Sequence, residues 1–363
     1  MRGLAAWAIA LVVVVAVPGC RGSGKEPPAA GARDTSIAEA ARSGGCGPPG
    51  VFKQTRRLMG TLVTVQVAGG PEEAAERAIE EAFAELERIE AIAHPRGAHS
   101  AVRRINEAAG REPVEVPREI YEILDMAREV SERSAGAFDV TFAAVGRLWD
   151  FSDPEAMPPS REELGRALEL VDYRKLVLDA AGRRVFLVRP RMEIGLGAIA
   201  KGFAVDLAME AAKKYPLTGI LVEAGGDIRQ SGSKCGRPWA IGLQDPRKPH
   251  GSLYGTMEID QDLAVVTSGD YERGFVKDGI RYHHILDPRT GMPARSCRSV
   301  TIVGPSCGLA DALATAVFVL GPQRGLEMLA SHYPDYDAFI LDAQAKEHAS
   351  PGFATRTRFE RVQ

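Results

Sequence analysis

The chain has 363 residues, of which 45% are hydrophobic and 26% are charged, and its formal net charge is −3. A chain of this length forms one large domain or two medium ones, and this composition is typical of a globular protein with a substantial core. No basic block is long enough to line a nucleic-acid groove, so we expect no nucleic-acid partner.

The first 20 residues have the pattern of an export signal. Arg2 precedes an apolar run over residues 4–17, and Pro18-Gly19-Cys20 follows. Such a run is too short to span a membrane comfortably. Because it ends in Gly-Cys, the segment resembles a bacterial lipoprotein signal, in which the cysteine is lipidated; ordinary cleavage and an uncleaved anchor are the alternatives. We therefore expect residues 1–20 to be a signal peptide, and the protein to be exported and lipid-anchored to a bacterial membrane, facing the periplasm.

The next segment, residues 21–50, is rich in Gly, Pro, Ala and Ser, which predicts a flexible linker. One folded unit is predicted over residues 51–345, and residues 346–363 are interpreted as a C-terminal tail. No Cys/His spacing indicates a zinc site. Cys297 and Cys307 are close enough in sequence to pair in an exported protein, but their spacing does not show whether they do.

Within the folded unit, the patterns predict helices and strands without strict alternation. Strands are predicted over 58–67, in the hairpin "KLVLD"/"RVFLV", at "GILVE" and at "DAFIL", and helices over 71–92, 117–133, 161–168, 198–214, 306–320 and 322–331. Short β-type runs separated by Gly, Pro and Asp fill residues 225–303, which indicates a largely antiparallel, hairpin-connected sheet. The predicted class is α+β.

A glycine-rich turn, "EIGLGAIAKGFAVD" (193–206), fits the dinucleotide-binding pattern G-x-G-x-x-A. The hairpin-like region after it does not fit a parallel βαβ fold, so the pattern is weak support for nicotinamide binding. A glycine-rich turn that leads into a helix still presents N–H groups to a phosphate, and Lys201 would add a positive charge. The alternative is a tight turn with an exposed lysine.

A second motif, "GLADALATAVFVLG" (308–321), places Asp311 and Thr315 four residues apart on one helix face. A carboxylate and a hydroxyl are hard oxygen ligands that suit Mg²⁺ or Ca²⁺. The alternative, an aspartate near a helix start and a threonine bonded to its own helix, is the commoner arrangement. The segment "VEAGGDIRQSG" (222–232) needs no function beyond a β-turn.

Two histidines stand in "HHILDPRTG" (283–291), and "TSGDYERGF" (267–275) precedes them with a cluster of polar side chains. An acid, a histidine and an arginine near a phosphate site suit acid–base catalysis combined with charge neutralisation. The alternative is a strand that ends in a tight turn at Pro288 and Gly291. If the segment is a strand, His283 and His284 point to opposite faces, so only one of them reaches a site.

Taken together, these motifs form a specific series. "MGT" (59–61), "GAFDVT" (136–141), "LGAIAKGFAVD", "EAGGDIR", "TSGDYER", "HHILDPRTGMPA" and "DALATAVFVLG" occur in this order. The series, which covers about residues 52–342, closely resembles the ApbE family of FAD:protein FMN transferases, once described as thiamine-biosynthesis lipoproteins. The resemblance implies one flavin-binding catalytic unit with mixed, largely antiparallel sheets and packed helices.

The same resemblance implies an activity and its partners. Members bind FAD with Mg²⁺, although Ca²⁺ or Mn²⁺ is also possible, and transfer FMN to a threonine or serine hydroxyl of an acceptor protein, releasing AMP. The implied acceptors are flavoprotein subunits of membrane electron-transport complexes of the Nqr and Rnf type. A metal-dependent FAD pyrophosphatase, a non-catalytic periplasmic flavin-binding protein and a nicotinamide dehydrogenase are the competing hypotheses.

Site residues carry over position by position. His284 is implied to be the catalytic base, and the metal ligands are implied to be the backbone carbonyl of Ala198 with Asp311 and Thr315. The implied FAD contacts are Met59, Ala137, Phe138, Asp139, Lys201 and Ile285. Two departures stand out, because Gly195 occupies a position where the family often has Asp, and "HPRGAHS" (94–100) lacks the aromatic residue that this loop usually carries, although His94 could substitute in part.

Overall fold

The structure, a computed structural model, describes residues 50–362. The predicted signal (1–20) and all but the last residue of the predicted linker (21–50) lie outside the described residues. Within residues 50–362, no helix combines the length and the apolar character that crossing a membrane requires.

Strands and helices alternate irregularly along the described chain. The strands are β1 (Val51–Leu58), β2 (Thr61–Ala68), β3 (Val114–Glu115), β4 (Leu176–Asp179), β5 (Arg184–Leu187), β6 (Gly219–Ala224), β7 (Asp227–Gly232), β8 (Trp239–Gln244), β9 (Leu253–Ile259), β10 (Leu263–Gly269), β11 (Gly274–Lys277), β12 (Ile280–His283), β13 (Cys297–Gly304), β14 (Asp337–Asp342), β15 (Glu347–Ala349) and β16 (Glu360–Arg361). The helices are α1 (Glu72–Ala93), α2 (Ala101–Ala108), α3 (Arg118–Arg133), α4 (Ala143–Gly146), α5 (Arg161–Leu168), α6 (Ala200–Ala212), α7 (Cys307–Leu320), α8 (Pro322–His332) and α9 (Phe353–Thr357), with a 3₁₀ turn at Tyr173–Lys175.

An eight-stranded sheet, in the order β1-β2-β6-β7-β10-β13-β14-β15, organises the molecule, and all of its neighbouring strands are antiparallel. Alternate residues of each strand face opposite sides. On one side Val63, Val65 and Val67 of β2 join the large core formed with α1, α6 and α7. On the other side Leu221 and Ile228 pack against the smaller sheet β16-β9-β8. The sheet is therefore covered on both faces.

A third, smaller apolar cluster joins α4 and α5 to the separate hairpin β11–β12. Its centre is aromatic: Trp149 stacks on Phe151 with ring centroids 5.4 Å apart, and Phe275 stacks on Tyr282 at 5.3 Å. Offset aromatic packing of this kind adds stabilisation beyond area burial. The hairpin is thereby fixed beside the segment that follows α4.

The predicted α+β class is confirmed, and the predicted long helices and the hairpin β4–β5 are present. The single strand predicted over 58–67 is wrong, because Met59 and Gly60 both adopt positive φ and turn the chain between β1 and β2. Two consecutive residues with positive φ are characteristic of tight hairpin turns. Such turns favour Asn, Asp or Gly at the first of these positions, so a methionine there does not predict one.

The predicted C-terminal tail, residues 346–363, is part of the fold as far as Arg361. β15 extends the main sheet beside β14, β16 pairs with β9, and Phe353 is 1% exposed in the second core. The possible pairing of Cys297 with Cys307 is not present, because both are free, buried thiols.

Candidate active site

A cavity of about 390 Å³ brings together segments that are far apart in sequence. Nine of the ten residues predicted for the site line it: Ala137, Phe138, Asp139, Ala198, Lys201, His284, Ile285, Asp311 and Thr315. Their individual roles stay predictions, whereas their common location is a property of the fold.

The turn between β6 and β7 contains two glycines, Gly225 and Gly226, and lies at the cavity. Gly225, at φ +53°, places its α-carbon so close to Thr61 that an added Cβ would lie 2.5 Å from the Thr61 hydroxyl oxygen. Gly226, at φ +95°, lies beside Glu272, with 3.7 Å from its hypothetical Cβ to Oε1. The motifs "MGT", "EAGGDIR" and "TSGDYER" therefore meet in space, and the glycines of the middle motif permit the approach.

Helix α7 is held in place by a carboxylate of helix α6. Asp206 accepts hydrogen bonds from the Cys307 and Gly308 N–H groups, at 2.9 Å each, and from the Ser306 hydroxyl at 2.8 Å. It also pairs with Arg229 at 2.6 Å. Because the first turn of a helix has unsatisfied N–H groups, this carboxylate caps α7 and sets its orientation.

The start of α6 touches α7 at the predicted metal site. The N–H of Gly202 donates to Asp311 Oδ2 at 3.4 Å, and an added Cβ at Gly202 would lie 3.0 Å from Cβ of Asp311. In a regular helix that N–H would bond to the carbonyl of Ala198, four residues earlier. Within residues 50–362 no backbone N–H bonds to the Ala198 carbonyl. The Ala198 carbonyl is therefore available as an oxygen ligand near Asp311, and Thr315 lies one turn further along α7.

Lys201 is surrounded by acidic side chains. Its ammonium group contacts Asp227, and Asp227 and Asp311 lie within hydrogen-bonding reach of each other. Burial tends to lower the pKa of Lys201, but the charges of Asp227 and then Asp311 outweigh burial and raise it, so the lysine is cationic. Burial raises the pKa of both Asp227 and Asp311, with Lys201 opposing the effect. This part of the cavity is therefore buried and rich in carboxylates, with the Lys201 ammonium held among them.

The two histidines have different surroundings: His283 is the last residue of β12, and His284 lies just beyond the strand. His283 is buried outside the cavity, where its Nδ1 accepts from the Ile285 N–H at 3.3 Å and its Nε2 lies 2.8 Å from the Ala294 carbonyl. His284 lines the cavity, and its Nδ1 is buried without a hydrogen-bond partner within the described chain. Burial, followed by the charge of Arg273, lowers the pKa of His284 to about 3. The His284 ring is therefore neutral at neutral pH.

The turn that follows His284 is built by its own residues. The Asp287 carbonyl accepts from the Thr290 and Gly291 N–H groups at 3.1 and 2.8 Å, and its carboxylate accepts from Arg289 at 2.7 and 2.8 Å. Trp149 Nε1 donates to the Gly291 carbonyl at 3.1 Å and so ties the turn to the aromatic cluster. Residues 287–291 thus act as a scaffold that fixes the end of the histidine-bearing segment.

Asp139 is both a wall of the cavity and a structural group. Its Oδ1 accepts from the Thr141 N–H and hydroxyl at 2.8 and 2.7 Å, and its Oδ2 accepts from the Tyr173 N–H at 2.9 Å. Burial raises its pKa, and these hydrogen bonds partly offset the rise. Most of its hydrogen-bonding capacity therefore serves the turn at 139–141.

Met59, the tenth predicted residue, does not line the cavity. It occupies the β1–β2 turn, where its N–H donates to Glu90 Oε1 at 2.9 Å. Arg273 connects this turn with the site, because it lines the cavity and its Nη2 lies 3.8 Å from a hypothetical Cβ on Gly60. A contact of Met59 with FAD stays a prediction.

The cavity has an aromatic wall that the sequence patterns do not predict. Phe142 and Phe151 line it together with Arg147, which pairs with Glu193 at 2.7 Å. The local signal was the aromatic run "LWDF" (148–151). His94, considered as a partial substitute for a missing aromatic, is exposed and lies outside the lining. Gly195 does line the cavity.

Comparison with known proteins identifies the family. Residues 59–340 match the model of the ApbE family. The chain is 36% identical over 323 residues to a FAD:protein FMN transferase of Treponema pallidum, covering 85% of this chain and 89% of that protein. It is 32% identical over 292 residues to a FAD:protein FMN transferase of Klebsiella pneumoniae, covering 80% and 89%.

Solved structures agree with these sequence matches. The fold resembles the crystal structure of the ApbE protein from Thermotoga maritima, with a TM-score of 0.76, 34% identity, and coverage of 84% of this chain and 99% of that one. It also resembles the flavin transferase ApbE from Vibrio cholerae, with a TM-score of 0.75, 28% identity and the same coverage. This chain therefore belongs to the ApbE family.

Proposed function

We propose that this protein is a FAD:protein FMN transferase, which attaches FMN through a phosphoester to a threonine or serine hydroxyl of an acceptor protein and releases AMP. One observation carries the proposal: a neutral histidine, a lysine and an oxygen-ligand set line a single cavity. Relatives that bear this activity in their names match most of the chain. A proton acceptor, a fixed cation and a metal site are what phosphoryl transfer needs.

The residues present fit a divalent cation. The Ala198 carbonyl, the Asp311 carboxylate and the Thr315 hydroxyl are hard oxygen donors, which suit Mg²⁺ better than a soft metal. Within residues 50–362 no group of three or more His, Cys, Asp or Glu side chains forms a transition-metal site. When bound, Mg²⁺ would offset charge on the pyrophosphate of FAD. Ca²⁺ or Mn²⁺ would suit the same donors.

His284 would move the proton in the transfer step. The acceptor hydroxyl oxygen forms a bond to the FMN phosphorus, its proton passes to the imidazole of His284, and the P–O bond to AMP breaks. A neutral ring is required for this role, and the low pKa of His284 keeps it neutral. The negative pyrophosphate would raise that pKa and so make the ring a better base when FAD is bound.

Lys201 would supply fixed positive charge during the step. Its ammonium group already contacts Asp227, so it is held in place before the substrate arrives. Charge that develops on the transferring phosphoryl group is stabilised more strongly in a pocket screened from water. Phe142 and Phe151 would provide flat apolar surface for a ring of FAD.

The test is a transfer assay with two products. An acceptor domain with a Ser/Thr-Gly-Ala-Thr type site is incubated with the protein, FAD and Mg²⁺; intact mass reports FMN attachment, and AMP is measured in the same tube. A gain of one FMN unit with matching AMP is expected. AMP and free FMN with unmodified acceptors would indicate a pyrophosphatase instead, and intact FAD would indicate a flavin carrier.

We also propose that the protein acts outside the bacterial cytoplasm, anchored to a membrane by a lipid on Cys20 and facing the periplasm. The support is the pattern of residues 1–20 followed by the linker-like composition of 21–50. Its acceptors would be flavoprotein subunits of Nqr-type or Rnf-type electron-transport complexes. Metabolic labelling with palmitate tests the anchor: label on the wild type and none on Cys20→Ala is expected, and an unlabelled wild type would contradict it.

A further inference from the structure

We propose that Asp227 supplies a second carboxylate to the cation site formed by Asp311, Thr315 and the carbonyl of Ala198. The site would then hold a divalent cation between two carboxylates rather than on one. This inference rests on the metal dependence in the proposed function, and it adds a ligand that the sequence motifs assigned only to a turn.

The first observation is that two carboxylates lie side by side in a buried place. Asp227 is 1% exposed and lines the cavity. Its Oδ2 contacts the ammonium of Lys201, and the carboxylate lies within hydrogen-bonding reach of Asp311. Two buried carboxylates this close repel each other unless a proton or a cation lies between them. A divalent metal ion bound by both would remove this repulsion.

The second observation is the face of the sheet on which the Asp227 side chain lies. Asp227 is the first residue of β7 and pairs with Ala224 and Val266. Its neighbour Ile228 faces the second core, so Asp227 faces the helix side, where Asp311 begins the second turn of α7. Gly226, at φ +95°, makes the turn that starts this strand. The fold therefore aims the two carboxylates at one point.

The third observation is the charge of the pocket. The charges of Asp227, Asp311 and Glu272 all raise the pKa of Lys201, and the Lys201 ammonium contacts Asp227. Lys201 is thus a counter-charge shared between the two carboxylates of Asp227 and Asp311, so their negative charge exceeds the single positive charge of the lysine. Buried charges are retained when they are paired or bind metals. A divalent cation between Asp227 and Asp311 satisfies both.

The test measures Mn²⁺ binding rather than activity. Mn²⁺ is titrated up to millimolar concentrations into the full-length protein without FAD, and free Mn²⁺ is followed by electron paramagnetic resonance. One site is expected in the wild type. Asp227→Asn and Asp311→Asn should each weaken Mn²⁺ binding by about tenfold or more, because carboxylate count sets affinity in oxygen-ligand sites. Glu272→Gln is the matched control: it also removes a carboxylate from the cavity lining, but Glu272 is not a proposed ligand, so the Mn²⁺ affinity of this variant should change less than about threefold.

The outcomes separate the inference from the function on which it rests. If Asp311→Asn weakens binding while Asp227→Asn behaves like Glu272→Gln, Asp227 is only the ion-pair partner of Lys201, and the inference is overturned. If the wild type binds no Mn²⁺, the metal dependence in the proposed function is contradicted, and the inference is overturned with it. Thermal unfolding in EDTA checks that each variant folds. Should Asp227→Asn not fold, Asp227→Glu decides: a metal ligand displaced by one methylene should lose affinity, and an unchanged affinity would overturn the inference.

Discussion

Replacing Gly202 with alanine would test the close approach of helices α6 and α7 that forms the site. A Cβ at this position would lie 2.3 Å from the carbonyl oxygen of Cys307 and 3.0 Å from Cβ of Asp311. From the other side, a Cβ on Gly308 of α7 would lie 3.0 Å from Cα of Phe203. Because backbone atoms are involved on both helices, the alanine fits only if one helix moves relative to the other.

The expected cost follows from two opposing effects. Overpacking a buried contact costs about 1–3 kcal/mol, and more where the obstacle is backbone. Alanine in place of glycine in a helix stabilises the folded state by about 1 kcal/mol. The obstacle is a backbone carbonyl, so we take the cost at about 3 kcal/mol; subtracting the gain of about 1 kcal/mol, Gly202→Ala should lower the free energy of unfolding by about 2 kcal/mol. In contrast, Gly165 in the exposed part of α5 has no atom within 4 Å of a hypothetical Cβ, so Gly165→Ala should stabilise by up to about 1 kcal/mol.

Urea unfolding followed by circular dichroism compares the two variants with the wild type, and a shift of the midpoint at an unchanged slope reports stability. Gly202→Ala should also weaken Mn²⁺ binding, because the same displacement separates Asp311 from the Ala198 carbonyl. A Gly202→Ala midpoint at or above that of the wild type, with Gly165→Ala behaving as expected, would refute the close helix contact on which the metal site depends.

Three further predictions concern the cavity. His284→Ala should slow FMN transfer by about 10²–10⁴-fold while FAD affinity changes only a few-fold; an unchanged transfer rate would exclude His284 as the base. Burial lowers the pKa of His284 from 6.5 to about 3, so between these values the unfolded chain binds the extra proton and stability falls as pH falls. Urea unfolding of wild type and His284→Gln across this range should therefore diverge towards low pH, and parallel curves would contradict a buried neutral ring. Phe151→Ala should weaken FAD binding about threefold to tenfold by loss of aromatic contact, measured by flavin fluorescence, with Phe359→Ala in the second core as the control that leaves it unchanged.

Local patterns predicted those elements whose signals lie within a few residues. Helix α5 spans Arg161–Leu168 as predicted, and its start is fixed by Ser160 and Glu163, which cap each other's backbone N–H groups. Only one of the two histidines lines the cavity, as expected, but β12 ends at His283, so strand alternation does not explain the position of His284. Information of this kind is local, so a single sequence contains it.

Features that depend on distant residues could not be predicted in this way. The turn at Met59 and Gly60 is stabilised by Glu90, 31 positions from Met59, so the local sequence shows only one glycine and not the contact that fixes the turn. Phe151 faces the cavity because Trp149 stacks on it and bonds to Gly291. Residues after 346 are part of the fold because β15 pairs with β14 at the edge of the main sheet. Each of these features depends on residues that are brought together only in the folded chain.

The candidate metal site combines both kinds of information. The four-residue spacing of Asp311 and Thr315 occurs on many helices, and a glycine-rich turn before Lys201 has ordinary structural explanations. What distinguishes them here is that Gly202 lets α6 approach α7, which brings the Ala198 carbonyl and Asp311 to one place. Asp206 then secures that crossing by capping the start of α7. The chemistry of the site is therefore a consequence of helix packing, and a substitution that alters the crossing should affect stability and metal binding together.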